Sequence, residues 1–532
     1  MKRSNLITFA LVLLFALIPS NGFAVRSGGT FVFLAPYGGD IGTLDPHHTM
    51  RVQDRLIILN INRSLYKWDP AKGKPILALA KKVDKSEDGL VYTYYLRKGV
   101  KFHNNRELTA EDIIWSYNRI MNPDTASPAA RFIAIISGAK AVEEGKAKQV
   151  SGLKKIDDYT LEITLDGPFN PGYSFFDPTT AILPREEVEK RGDKFGSEPM
   201  GCGPFQVENI VRGSEICLKK FPQYFEEGRP YLDKLIYKIM VEEGTRDMAF
   251  KAQELDATLV GSTHYPAYKN DPRISNHMIE VDEMYTILAG FNLEYEPFKN
   301  KLVRQAINYA IDRPLILKKL LKNMGTVATG YLSTSHEAFD SNAKGYECNI
   351  EKAKALMKQA GYEKGFTVEC MGTGNKSWGI PIVEAMMPYL KRLNITLKPQ
   401  QFEGAAMRAK LGKGEFQMYI WCLDNGPDPI VGLMRWNSTR PRVLNHVGYK
   451  NPEYDRLLDL ASHELDDIKR VELVRKADRI LRDDAPMWFF AYNGAALASQ
   501  PWVHGLKPVA VEMMFQDFAN VWVEASSPRA RK

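Results

Sequence analysis

Residues 416–436 read FQMYIWCLDNGPDPIVGLMRW, and the chemistry this stretch offers is that of a carboxylate placed at a strand end. An apolar and aromatic run of strand length, Phe416 to Trp421, ends in Cys422 and Leu423 and breaks into Asp424-Asn425-Gly426-Pro427-Asp428-Pro429, a series of turn formers. A carboxylate therefore stands just past the end of a buried strand, where loops of α/β folds project side chains toward ligands. Read alone, the segment fits an ordinary surface turn with a solvated Asp424 at least as well.

Other reactive groupings are absent or bland. Gly-x-Ser-x-Gly, His-Glu-x-x-His, Cys-x-x-Cys, the phosphate-cradling Gly-x4-Gly-Lys-Ser/Thr and Gly-x-Gly-x-x-Gly do not occur. His47-His48 in an extended segment would point to opposite faces, and no Cys or carboxylate stands at ligand spacing, so no metal or cofactor is expected. Asp157-Asp158 and Asp483-Asp484 read as solvated pairs. A glycosidase built on unlinked carboxylates stays open, because that chemistry needs only two acids close in space.

The elements that would position Asp424 form a clean alternation. Strand Phe366–Met371, helix Trp378–Leu393, strand Ile395–Pro399, helix Gly404–Leu411 and strand Phe416–Cys422 make a βαβαβ unit, whose parallel sheet puts its strand ends on one edge. Before it, the pattern predicts strands Thr30–Leu34, Val91–Arg97 and Thr160–Leu165, a hairpin Phe205–Val211/Glu215–Lys219 and a strand Leu232–Val241. Helices are expected over Ile57–Tyr66 and after Thr109, which can cap the apolar stripe Ile113, Ile114, Tyr117, Ile120 and Met121. After it come a helix Asp467–Arg482 and short strands Met487–Ala491 and Val521–Val523.

The 532 residues, 44% hydrophobic and 25% charged, suffice for two or three cores. Residues 1–24 carry Lys2 and Arg3, an apolar stretch Leu6–Ile18 and Gly22-Phe23-Ala24, the pattern of a cleaved secretory leader. No cysteine follows the expected cut, so a soluble exported protein without a lipid anchor is expected. The net charge of +7, or +5 without the leader's two cations, is spread among acid-containing helices, which argues against nucleic acid as a partner. Of the five cysteines, Cys370 and Cys422 end two strands of one sheet and are the first candidate for a disulfide; five separate thiols fit as well.

With these segments in order, the chain resembles the family 5 extracellular solute-binding proteins of ABC importers. The resemblance runs through Thr43-Leu44-Asp45-Pro46, Tyr94-Tyr95-Leu96-Arg97-Lys98-Gly99, Leu108-Thr109-Ala110-Glu111-Asp112, Asn122-Pro123-Asp124, Ile156-Asp157-Asp158-Tyr159, Arg229-Pro230-Tyr231-Leu232, Val303-Arg304-Gln305-Ala306 and Trp421-Cys422-Leu423-Asp424. It implies an α/β, periplasmic-binding-protein-like two-lobe fold of type II, with three domains, mixed sheets and a hinge. Its boundaries here are 25–69, 186–284 and 492–532 for the core of lobe I, 70–185 for an extra domain, and 285–491 for lobe II.

The function implied is capture of a small peptide or peptide-like solute in the periplasm by a monomer, for delivery to permease subunits in the inner membrane. No enzyme activity is implied. In peptide-binding members the carboxylate corresponding to Asp424 pairs with the ligand's α-ammonium. The ligand backbone runs beside segments corresponding to Arg51, Val52 and Gln53 and to Ile420, Trp421 and Cys422. Phe402 matches an aromatic pocket wall. Departures are equally specific: Trp378, Ala409 and Met418 stand where basic residues for a peptide C-terminus are expected, leaving Lys376, Arg408, Lys410 or Arg435 as substitutes, and Tyr285 replaces the cysteine that would partner Cys422. Sugar, opine, nickel or haem ligands on the same fold, a hydrolase, and a chaperone are the competing readings; Trp378 and Trp421 would be the sugar-stacking platforms.

Overall fold

The computed structural model describes residues 25–530 apart from Pro36, Gly38 and Lys376. The leader assigned to residues 1–24, and Lys376 as a candidate carboxylate holder, lie outside the described residues.

Ten strands form one mixed sheet. In chain order they are β1 (Thr30–Leu34), β2 (Phe205–Val211), β3 (Glu215–Lys220), β4 (Lys234–Lys238), β5 (Ala257–Leu259), β6 (Met278–Phe291), β7 (Thr367–Gly372), β8 (Thr396–Gln401), β9 (Met418–Asp424) and β10 (Met487–Ser499). Their spatial order is β8-β7-β9-β6-β10-β5-β1-β4-β3-β2. The expected βαβαβ unit is present: β7 runs parallel to both β8 and β9. Alternate residues of its strands feed two cores on opposite faces. Ile287, Ala289, Met418 and Ile420 pack in one; Leu288, Tyr419 and Leu423 pack in the other.

β6 and β10 are the members that reach both halves of the sheet. They pair antiparallel from Met278 opposite Ala498 to Gly290 opposite Met487, and the register is broken between Asp282 and Thr286. One end of β10 pairs with β5 in the first half, and β6 pairs with β9 in the second. A break in the ladder of two shared strands is where two lobes can rotate with little loss of pairing.

These two strands correct the sequence reading. The expected strand Met487–Ala491 continues to Ser499, and Met278–Phe291 was not expected as one strand. Asp282-Glu283 and Asn493-Gly494 interrupt the apolar pattern at the break, so each strand reads as a shorter piece. The expected helix Ile57–Tyr66 is displaced: α1 spans Val52–Ile61, with Arg51 as its extended N-cap residue, and Tyr66–Asp69 is a strand.

A separate antiparallel sheet, Ala80–Lys85, Val91–Leu96, Thr160–Thr164 and Leu153–Asp157, carries its own core of Tyr94, Phe102, Tyr117 and Leu161. Helix α2 (Ala110–Met121) packs on it and starts with a capping box, the Asp112 carboxylate accepting the Thr109 amide at 2.9 Å. The Thr43–Pro46 motif is structural: both carboxylate oxygens of Asp45 accept from Arg119, at 3.0 and 2.7 Å.

The Cys370–Cys422 disulfide does not form, and all five cysteines are free. Cys370 lies opposite Met418, four residues before Cys422 on β9, a displacement of roughly 13 Å at strand rise, beyond a disulfide's reach.

Candidate ligand-binding site

Asp424 is the last residue of β9 rather than the first of the following turn. Gly426, at φ +67°, turns the chain sharply, and its amide donates to Asp424 Oδ1 at 2.6 Å. No cation among the described residues pairs with this exposed carboxylate. Four residues after Asp424, Asp428 caps helix α3 (Pro429–Met434), accepting the Ile430 amide at 2.8 Å, while its buried Oδ2 has no hydrogen-bond partner among the described residues.

Asp424 faces a cavity of about 420 Å³ lined by residues from both halves of the molecule. One wall is α1, through Val52 and Arg55, with Val511 and Phe515 behind. Arg55 is not available to a ligand: it pairs with Asp177, and its guanidinium lies 5.4 Å from the Phe515 ring centroid. A second wall, Arg131, Phe132, Phe169, Tyr173 and Phe176, comes from the segment around the small sheet. The third, Asp424 to Asp428 and onward to Arg435, Arg440 and Leu444, belongs to the half that holds β9. Tyr173 Oη donates to Glu337 Oε1 across the cleft at 3.3 Å.

The cavity borders the break in β6. Tyr285, opposite Asp424 in the ladder, and Glu512 both line it. Glu512 accepts from the Tyr37 hydroxyl, and Glu283 accepts from the Met513 amide and from Asn493, each at 2.7 Å. Burial raises the Glu283 carboxyl, and burial together with the Glu283 charge raises Glu512 well above the usual range. The Arg55 charge works against this at Glu512, but Arg55 is paired with Asp177, and two buried neighbouring carboxylates do not both ionise, so the pair holds a proton. Burial and the charges of Glu512 and Asp424 likewise push the Tyr285 phenol up.

The structure separates the other expected site residues. Val52 joins Asp424 at the cavity; Arg51 and Gln53 do not line it. Arg51 is extended, and Val52 and Gln53 are in the first helical turn, where backbone amides lack intrahelical acceptors. Ile420 is fully buried in the core. Its strand nevertheless offers a backbone edge, since β7 pairs with β9 only at Met418 and Tyr419. Cys422 is opposite Ile287, and Tyr285 opposite Asp424, so no thiol faces it.

Trp378 and Trp421 are neighbours, with ring centroids 5.7 Å apart and planes tilted by 32°, and the Arg408 guanidinium lies 5.8 Å from the Trp421 ring. Phe402 packs at the same core and carries Lys410 at 5.7 Å. None of these five residues lines the cavity. Of the described substitutes for a carboxylate clamp, Arg408, Lys410 and Arg435, the fold brings Arg435 to it. The cavity residues Arg131, Phe132, Asp177, Glu512 and Phe515 carried no motif; the hydrophobic pattern of Phe169–Phe176 was the available signal.

A molecule whose two halves share crossing strands and enclose a cavity lined by both is a ligand trap of the two-lobe, type II periplasmic-binding-protein fold. The chain belongs to the bacterial extracellular solute-binding proteins, family 5, whose middle-region model matches residues 74–442. It is 28% identical over 450 residues to the dipeptide-binding protein of Escherichia coli strain K12, covering 79% of this chain and 81% of that one. It is 29% identical over 460 residues to heme-binding protein A of Haemophilus influenzae, covering 80% and 81%. The structure of the Helicobacter pylori ABC transporter-associated periplasmic binding protein DppA, in complex with the peptide STSA, superposes with a TM-score of 0.76 at 26% identity, over 94% of this chain and 99% of that one.

Proposed function

We propose that this protein is the substrate-binding subunit of an ABC importer, exported to the periplasm, which captures a peptide-like, amine-bearing solute by closing two lobes and presents it to a membrane permease. The observation that carries the reading is Asp424: an unpaired carboxylate at a strand end, on the wall of a cavity shared by both lobes. Closure removes water, and a dehydrated carboxylate facing an ammonium forms a charge-assisted bond worth about 1.5–3 kcal/mol. The free edge of β9 at Ile420–Cys422 supplies main-chain groups for an extended ligand, giving affinity with little side-chain selectivity. The lobes are 25–69 with 186–284 and 492–532, carrying the extra domain 70–185, and 285–491, meeting where β6 and β10 cross at Glu283 and Asn493.

The experiment is thermal unfolding of ligand-stripped mature protein with short peptides, their N-acetylated forms, oligosaccharides, opines and nickel. A ligand at a hundred times its Kd stabilises the fold by about 2.7 kcal/mol. Free-amine peptides raise the midpoint, N-acetylation removes the rise, and Asp424→Ala weakens binding at least about tenfold while the unliganded midpoint holds. Stabilisation by sugar or nickel alone overturns the peptide-like assignment, and unchanged peptide affinity in Asp424→Ala overturns the clamp.

A further inference from the structure

Three carboxylates meet where the cavity touches the break in β6. Cys422 and Asp424 share a face of β9, and Tyr285 stands opposite Asp424. The charges of Asp424, Glu283 and Glu512 all bear on the Cys422 thiol and on the Tyr285 phenol. Glu512 lines the cavity together with Asp424 and Tyr285. Glu283 does not line it, and is fixed by the Met513 amide and Asn493, each donating to it at 2.7 Å. The two buried side chains, Glu283 and Glu512, are hydrogen-bonded to each other. Ionised carboxylates only accept, so that bond contains a proton.

What this cluster lacks is a cation. Arg55 faces Glu512 from α1, but it is paired with Asp177. Tyr37 offers Glu512 a neutral hydroxyl, and the Tyr285 phenol is kept neutral by burial and by the same carboxylates. Among the described residues no group of three His, Cys, Asp or Glu side chains could hold a metal ion. A cation for this end of the cavity therefore arrives with the solute. Beside Glu512 it offsets the second negative charge that two buried neighbouring acids do not carry alone.

We infer that the ammonium of the solute is received by Glu512 as well as by Asp424, and that its arrival expels to solvent the proton shared by Glu283 and Glu512. The inference rests on the Asp424 ammonium reading and adds a second acceptor to it. One carboxyl O–H bond breaks, its electron pair stays on the carboxylate and the proton passes to water, while the ammonium keeps its own protons. Capture that releases a proton strengthens as pH rises, by about tenfold per unit for a whole proton. The window opens above the ordinary carboxylate range, near pH 4, and closes near pH 7.7, where a peptide amine loses its own charge. Two histidines of the same lobe are silent there. His336, which bonds the Gly426 backbone, and His446, near Arg435, are each lowered to about 4, chiefly by burial.

The test uses the full mature chain with trialanine and N-acetyl-trialanine. Calorimetry is run near pH 6.5 in phosphate and in imidazole, buffers that take up a proton with different heats. Wild type binds trialanine with a buffer-dependent heat whose sign is that of proton release, and affinity rises at least about threefold from about pH 5.5 to about pH 7. Glu512→Gln removes the buffer dependence and flattens the pH profile, while acetylation still blocks binding at Asp424. Should that variant misfold, Glu283→Gln, which offers Glu512 an N–H in place of the shared proton, gives the same flat profile. A buffer-independent heat in wild type, with binding still blocked by acetylation, overturns the inference and leaves the ammonium reading standing. Proton release that persists in a folded variant overturns it equally. If acetylation makes no difference, or neither probe binds, the ammonium reading falls and this inference with it.

Discussion

Asp424 and Glu512 are carboxylates on one cavity with opposite environments. Asp424 is exposed and accepts the Gly426 amide. Glu512 is 6% exposed, hydrogen-bonded to Tyr37, and shares its surroundings with Glu283. Because the Glu512 carboxyl is raised above its unfolded value, the folded state takes up a proton that the unfolded state gives up near pH 4.3. Its contribution is fully present below that pH and is lost as pH rises toward the folded value, at about 1.4 kcal/mol per unit of displacement. Glu512→Gln keeps an acceptor for Tyr37 and removes the titration. The variant's thermal midpoint therefore exceeds that of wild type by more at pH 8 than at pH 5, and an equal difference at both pH values refutes the buried proton. The sequence already pointed to Asp424, because a strand end before turn formers is a local pattern. Glu283 and Glu512 had no such signal, since their environment is made by contact between segments 229 residues apart.

At the scale of elements, the βαβαβ unit was legible because helix and strand periods alternate cleanly, and Thr109, a cap before the apolar stripe, marked α2. The two long strands were not, because the break that makes them useful places polar residues and Gly494 inside an apolar pattern. Gly494 is required there: a Cβ would lie 2.1 Å from the Gly325 amide nitrogen and 2.5 Å from its Cα, backbone atoms that cannot step aside. Gly494→Ala is expected to destabilise by about 1–3 kcal/mol, seen as a lower denaturation midpoint, and an unchanged midpoint would show that the Gly325 turn yields. The Trp378–Trp421 pair shows what spacing leaves out: two tryptophans near a strand end suggest a stacking platform, and only the fold sets them 5.7 Å apart, beside Arg408 and away from the cavity walls.

The whole molecule is a trap, and its closing surfaces include a bond that tests the mechanism. Tyr173 in one lobe donates to Glu337 in the other at 3.3 Å, and Arg470 approaches the same Glu337 oxygen at 3.3 Å. Tyr173→Phe removes this cross-cleft bond while keeping the ring against the cavity. The expected outcome is a two- to tenfold weaker affinity for the best ligand of the panel, from roughly 0.5–1.5 kcal/mol, with the unliganded midpoint retained. Tighter or equal binding would show that the bond does not favour the closed form.

By itself the sequence determined the alternating elements, the edge on which their strand ends lie and therefore the place of Asp424, because hydrophobic period and turn chemistry are local properties of a chain. The tertiary structure decided what Asp424 faces. The aromatic wall of residues 132–176, the proton-holding pair at the break in β6 and Asp424 become one site only when the shared strands set two lobes against each other. No spacing along the chain encodes that, because each wall taken alone reads as ordinary core or ordinary surface.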